Sequence, residues 1–516
     1  MALLKSIATV GGYTMVSRIL GFARDILVAA LLGAGPVADA FFVAFKLPNF
    51  FRRLFAEGAF SAAFVPLFTR QLSEEGAASA QRFAEEVLSV LVVVLLLFCA
   101  LIQIAMPWAM YGFAPGFAAD PEKFDLAVEL TRITFPYLIF ISLVSQLGGI
   151  LNSLGKFAAA AATPILLNIA LIGALLGLMP FVETAGHALA WGVFVAGIIQ
   201  FLWLIEACRR AGMSLHLPRP SLSPRVRRLL VLILPGAFGA GVVQINLLIG
   251  VVIASLLPTG SVSYLYYGDR INQLPLGVIG VAVGTALLPL LSRQLRDRED
   301  DAAMASLNRA LEFALFLTIP AALALVVIPG PIISVLFERG VFDAAASAAT
   351  SDALVAYSVG LPAYVLVKVL APGFFAREDT VTPVKIAAIC VAINIVLSLI
   401  LMGPMLHVGV ALATSISAWV NAILLGWALA SRGHLKLDAR LRARAPRILV
   451  ASVGMAAILF GGFHGLSGMF SGGGGARIAA LVILVGGGLA GYGVLTLAVG
   501  AAVPAELRGM MRRRGA

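Results

Sequence analysis

Val87-Leu88-Ser89-Val90-Leu91-Val92-Val93-Val94-Leu95-Leu96-Leu97-Phe98-Cys99-Ala100-Leu101-Ile102-Gln103-Ile104-Ala105-Met106-Pro107-Trp108 contains no charged side chain. About 20 helical residues, rising about 1.5 Å each, cross a hydrocarbon core about 30 Å thick. In lipid the backbone must satisfy its own hydrogen bonds, so only helices and closed barrels span. A barrel strand is shorter and alternates apolar with polar, which this run does not. Comparable runs recur at Leu229–Leu257, Ala310–Ile328 and Ile478–Val499. Over the 516 residues, 60% are hydrophobic and only 12% charged, whereas soluble chains carry about 25% charge. Mean hydropathy is +1.00. The expected fold is all-α: a polytopic membrane protein of about fourteen transmembrane helices. The expected spans are 7–33, 37–66, 86–111, 127–153, 157–180, 186–207, 229–257, 261–291, 308–329, 351–375, 383–403, 408–430, 447–464 and 477–501. The first apolar stretch is interrupted by Arg18, Arg24 and Asp25 and lacks a clear cleavage site, so it reads as a retained helix rather than a signal peptide.

A net charge of +11 and a pI near 9.9 could suggest nucleic acid, but the placement of the charge argues otherwise. With a cytoplasmic N-terminus, Lys and Arg crowd the cytoplasmic loops, from Arg70 and Arg82 to the Arg508–Arg514 tail. The opposite side receives only Lys123, Arg339 and Arg477. This is the positive-inside pattern of a multi-pass inner-membrane protein with both termini cytoplasmic. The basic loops would meet membrane lipid headgroups, not nucleic acid. Cys99, Cys208 and Cys390 stand apart, and the histidines lack ligand spacing, so no metal is expected.

The chain repeats itself at low similarity. Pro66-Leu67-Phe68-Thr69-Arg70-Gln71-Leu72 matches Pro289-Leu290-Leu291-Ser292-Arg293-Gln294-Leu295, and Asn168-Ile169-Ala170-Leu171 matches Asn394-Ile395-Val396-Leu397. Two six-helix lobes around a central cavity follow, one over 1–215 and one over 216–435. Residues 436–516 then carry two additional helices and a basic tail.

Ionisable residues at bilayer depth cost at least about 2.5–3.5 kcal/mol each on insertion scales, and so read as functional. The cations are Arg18, Arg24, Lys46, Arg52, Arg53, Arg132, Arg270 and Lys368, accompanied by Asp25, Asp39 and Asp269. Arg18 and Asp25 share a helix face, with Arg24 about 120° round. Asp39, Lys46 and Arg53 align by periodicity, but Pro48 can reset the phase, leaving open which of Arg52 and Arg53 faces inward. Ser263, Tyr267 and Arg270 share another face, beside Asp269. Structural ion pairs would neutralise only as many cations as there are carboxylates. The remaining cationic surface suits an anion, and the arginine fork suits phosphate. No nucleophile elbow, phosphate loop or paired catalytic carboxylates occur, so the expectation is a transporter rather than an enzyme. No cofactor is implied, and energy would come from a coupling ion or the membrane potential.

Ser17–Asp25, Asp39–Asn49, Arg52–Ser61, Tyr266–Arg270 and Val367–Phe375 resemble the MurJ (MviN) family of lipid II flippases, within the multidrug/oligosaccharidyl-lipid/polysaccharide exporter superfamily. The likeness runs over most of the chain and fades after about residue 440. It implies the two-lobed exporter fold and a groove for a lipid tail. The implied substrate is the undecaprenyl-diphosphate-linked disaccharide-pentapeptide of peptidoglycan, flipped by alternating access, with the cell-wall synthesis machinery as an expected partner. It also implies functional roles for Arg18, Arg24, Asp39, Arg52 and Arg270, choosing Arg52 over Arg53. The competing readings are a flippase for another polyprenyl-linked glycan and a drug/cation antiporter of the same fold. An antiporter would favour acidic rather than basic intramembrane residues.

Overall fold

The computed structural model describes the backbone of residues 2–53 and 60–501, and their side chains except at 2–8, 234–243, 245 and 278–286. Gly58 and the basic tail Arg508, Arg512, Arg513 and Arg514 lie outside the described residues.

The described chain is helical, without a strand. The first helices are α1 (Ala2–Leu32), α2 (Pro36–Phe51), α3 (Ser61–Glu74), α4 (Ala77–Ile104), α5 (Met106–Phe113), α6 (Pro121–Thr134) and α7 (Tyr137–Ser153). Next come α8 (Phe157–Gly177), α9 (Ala185–Arg210), α10 (Pro224–Ser255), α11 (Ser261–Arg296), α12 (Asp300–Val327) and α13 (Pro329–Phe337). The last are α14 (Ala344–Val359), α15 (Leu361–Phe375), α16 (Val381–Ser431), α17 (Ala439–Gly465), α18 (Ser467–Phe470) and α19 (Gly474–Ala498). Among the described residues, nine helices are long and apolar enough to cross a membrane. One of these, α16, holds two helices joined at Leu406, whose φ of 50° and ψ of −132° are not helical. The remaining expected spans coincide with α1, α2 with α3, α10 and α11.

Several expected single spans are broken, and proline accounts for most breaks. Pro136 follows α6, Pro329 and Pro331 open α13, and Pro362 stands at the start of α15. Each lacks the N–H needed to continue the preceding ladder and restricts the residue before it. Side-chain oxygens cap five helix N-termini: Asp120 caps α6, Thr184 caps α9, Ser223 caps α10, Asp343 caps α14 and Asp438 caps α17. A cap of this kind satisfies an N–H the helix itself cannot. Gly474 and Gly475 open α19.

The chain forms two compact units. Unit 1 comprises Met1–Ser263 with Arg339–Phe342, and unit 2 comprises Tyr264–Glu338 and the chain from Asp343 onward. The first expected boundary, 215/216, lies inside unit 1, where α10 and the segment before it dock on α4 and on the end of α3. Arg225 donates to Glu75 at 2.9 Å and to Ser79 at 3.0 Å, and Ser223 donates to Glu86 at 2.6 Å. Unit 1 is cored by stacked rings, with Phe64 5.3 Å from Phe60 and 5.7 Å from Phe83. In unit 2, α17 and α19 close on α12. Met455, Leu459, Leu484 and Tyr492 are buried together, and the Tyr492 hydroxyl donates to the Phe316 carbonyl at 2.7 Å. Towards the N-terminal end of α12, Glu312 gathers Arg309, Arg440 at 3.0 Å and Arg444 at 2.6 Å.

Candidate functional site

In unit 1 the ionisable residues of α1 and α2 separate into two environments. Arg24 is 7% exposed and Asp25 4%. The Arg24 Nε and a terminal nitrogen donate to Asp25 Oδ1 at 3.1 and 2.6 Å. The other terminal nitrogen donates to Asn168 Oδ1 of α8 at 2.9 Å. The helical wheel put Arg24 about 120° from the Arg18–Asp25 face, yet its long side chain folds back onto its neighbour's carboxylate. Arg18, two turns earlier on α1, is exposed, and among the described residues it makes no hydrogen bond or ion pair.

Asp39, aligned with Lys46 and Arg53 by periodicity, lies in a closed environment. It is 1% exposed and accepts four hydrogen bonds. Lys123 Nζ and the Gly260 N–H each reach Oδ2 at 2.8 Å, while the Ser263 N–H and hydroxyl reach Oδ1 at 3.0 and 2.6 Å. Asp39 thus serves as an acceptor at the N-terminus of α11, where exposed N–H groups and the helix dipole favour a carboxylate. Lys123, which the topology assigned to a loop, is 5% exposed. It also donates to Thr259 Oγ1 at 3.3 Å and stands 4.2 Å from the Phe117 ring centroid. The ammonium is therefore compensated by a carboxylate, a hydroxyl and a ring face.

Beyond Asp39 along α2, Lys46 is exposed, Arg52 half-buried and Arg53 exposed. The two arginines occupy a widened π-type turn, which shifts the phase that plain periodicity assumed. In unit 2, Arg270 is half-buried, its guanidinium 4.7 Å from the Tyr266 ring centroid, a cation–π distance. Asp269 accepts from Gln273. Tyr267, expected beside Arg270 on a binding face, is fully buried instead, with its ring 5.2 Å from that of Phe337. Arg132 and Lys368 are exposed. No group of three or more His, Cys, Asp and Glu side chains that could hold a metal occurs among the described residues.

Sequence reasoning missed the functional position of two residues. Lys123 lies 84 positions from Asp39, and only its place just inside the Asp120-capped helix hinted that it was more than a loop cation. Asn168 was visible as a repeat marker, without its partner.

The profile of the family described as lipid II flippase MurJ matches residues 28–475. A probable lipid II flippase MurJ from Rhizobium meliloti (strain 1021) is 48% identical over 464 residues, covering 89% of this chain and 86% of its own. Among solved structures, the chain resembles "Lipid II flippase MurJ, inward closed conformation", with a TM-score of 0.78 and 28% identity, covering 94% of this chain and 97% of that one. It also resembles an inward-facing multidrug resistance MATE family transporter of the MOP superfamily, with a TM-score of 0.67 over 83% of this chain and 98% of that one. At 17% identity, this second likeness bears on the fold alone.

Proposed function

The chain belongs to the MurJ family of lipid II flippases, and on that premise we propose that its intramembrane arginines carry the anionic headgroup of lipid II across the inner membrane. The observation that carries this reading is Arg24, a guanidinium 7% exposed on a membrane helix, with the unpartnered Arg18 two turns away. Asp25 neutralises one of these charges and leaves the other to attract an anion. A diphosphate offers the planar guanidinium a bidentate partner that a single ammonium would match less well. Arg52 in unit 1 and Arg270 in unit 2, both half-buried, are the further cations that the family resemblance assigns to the headgroup. Tyr266 under Arg270 supports that guanidinium without cancelling its charge.

In this reading the undecaprenyl tail stays in lipid, and the disaccharide-pentapeptide travels with the diphosphate by alternating access from the cytoplasmic to the outer leaflet. Both termini lie in the cytoplasm, in keeping with the charge asymmetry of the loops. Each charge moved across 100 mV is worth about 2.3 kcal/mol, so the membrane potential is a sufficient source for one step. The same arginines argue against a cationic drug as cargo, since like charges would repel it.

The test is depletion of the protein in its own cell, scoring lipid-linked peptidoglycan precursor on each face of the inner membrane. Accumulation on the cytoplasmic face followed by lysis, rescued by wild type but not by Arg24→Ala or Arg270→Ala, is the expected result. Full rescue by both variants at native expression would remove the arginines from the transport step.

A further inference from the structure

We propose that Asn168 is a positioning residue for the Arg24 guanidinium, an inference that rests on Arg24 being a headgroup residue. Asn168 is 5% exposed, on α8. Its Oδ1 accepts from Arg24 at 2.9 Å, and its Nδ2 donates to the Ser17 carbonyl at 3.0 Å. Guanidinium only donates and a carbonyl only accepts, so both partners dictate the same amide orientation. Ser17, Gly21 and Arg24 follow the spacing of one helix face, and the single amide therefore spans two turns of α1. A Cβ at Gly21 would stand 3.5 Å from Nδ2 and 3.7 Å from Oδ1, ordinary van der Waals contact, so the amide lies flush against α1 at that position.

The chemistry of the residue suits positioning rather than neutralisation. Asp25 supplies a charge partner from the adjoining residue of α1, on the guanidinium's own helix. Asn168 adds an acceptor from α8 without adding negative charge. A long cation held in one rotamer before binding loses less conformational entropy when the anion arrives, which raises affinity by preorganisation. A carboxylate at 168 would keep the acceptor but give the cluster a second negative charge, which would repel the diphosphate.

The test measures the Kd of purified lipid II, alongside Tm, for the wild type, Asn168→Ala, Asn168→Asp, Arg24→Ala and the Arg24→Ala/Asn168→Ala double variant. Asn168→Ala is expected to weaken binding about tenfold. Asn168→Asp is expected to bind more weakly still, although it is nearly isosteric and restores the oxygen acceptor. The double variant is expected to bind no more weakly than Arg24→Ala alone, because Asn168 acts through that guanidinium. Additive losses, or Asn168→Asp binding as well as or better than Asn168→Ala, would overturn the role. Should the alanine variant fail to fold, the near-isosteric aspartate decides alone: binding weaker than wild type with Tm retained supports positioning, and wild-type binding overturns it. Arg24→Ala binding like wild type would instead overturn the underlying reading, and Asn168 with it.

Discussion

Replacing Asp39 by alanine should damage the protein more than removing its partner Lys123, because the two deletions leave different groups stranded. Asp39→Ala leaves a buried ammonium with only Thr259 Oγ1 at 3.3 Å and the Phe117 ring at 4.2 Å. Removing one partner of a buried ion pair costs about 3–5 kcal/mol. The N–H groups of Gly260 and Ser263 lose their acceptor as well, which adds about 1 kcal/mol or more each if they stay dry. Lys123→Met is gentler. Asp39 then keeps the Gly260 N–H, the Ser263 N–H and the Ser263 hydroxyl at the N-terminus of α11, and the loss is one charge-assisted bond, about 1.5–3 kcal/mol. The double variant removes both charges, so it should be less damaged than the two single losses added, with a coupling of about 0.5–3 kcal/mol. Unfolding of the purified protein by SDS titration in mixed micelles reads all four species. The expected order is wild type, then Lys123→Met, then Asp39→Ala, with the double variant clearly short of additivity. Equal damage from the two single variants, or additivity within about 0.5 kcal/mol, would refute the assignment of Asp39 to a buried structural pair.

Three further outcomes follow from the geometry. Gly340 has φ of +60°, and a Cβ there would stand 2.1 Å from the Ala30 carbonyl oxygen. Gly340→Ala should therefore lower Tm markedly, through strain of about 1–3 kcal/mol plus the clash. Gly488→Ala meets the Leu459 side chain, Cδ2 at 2.6 Å and Cγ at 3.1 Å, and should lower Tm less than Gly340→Ala in the same thermal assay, because a side chain can yield where a backbone carbonyl cannot. In the loop before α16, hydrogen bonds from Thr382 and then Arg432 hold the Asp379 carboxyl well below its ordinary 3.8. The stabilisation this gives is complete above pH 3.8 and is lost as pH falls below it. Asp379→Asn should consequently lower Tm at pH 7 and lose that deficit as pH drops below about 4. A deficit that persisted unchanged into acid would show that the Asp379 charge is not its source.

The spans were legible because lipid leaves the sequence few options: long apolar runs must be helices, and their lengths are set by the bilayer. The breaks inside them were written less plainly. Pro136, Pro329 and Pro362 stand in expected spans or at their edges, but a proline in a membrane helix is tolerated often enough that its presence alone does not announce a break. The pairing of charges was the least legible part. Periodicity describes where a Cβ points, and an arginine reaches several ångströms past its Cβ, so Arg24 could find Asp25 from the next position. Lys123 and Asp39 are joined by tertiary packing that no local pattern encodes.

This difference between Cβ direction and charge position sharpens the argument about cargo. A bare count of intramembrane cations against carboxylates understates the positive excess. Lys123 joins the buried cations, yet Asp39 compensates it, and that carboxylate is no longer available to α1 or to the rest of α2. Asp25 is likewise committed to Arg24 by two bonds to one oxygen. With both carboxylates of α1 and α2 engaged, Arg18 keeps its full charge at an exposed position on a membrane helix. An exposed arginine costs little where water reaches it and a great deal where lipid does. Its placement on α1 therefore calls for water or an anionic partner at that surface.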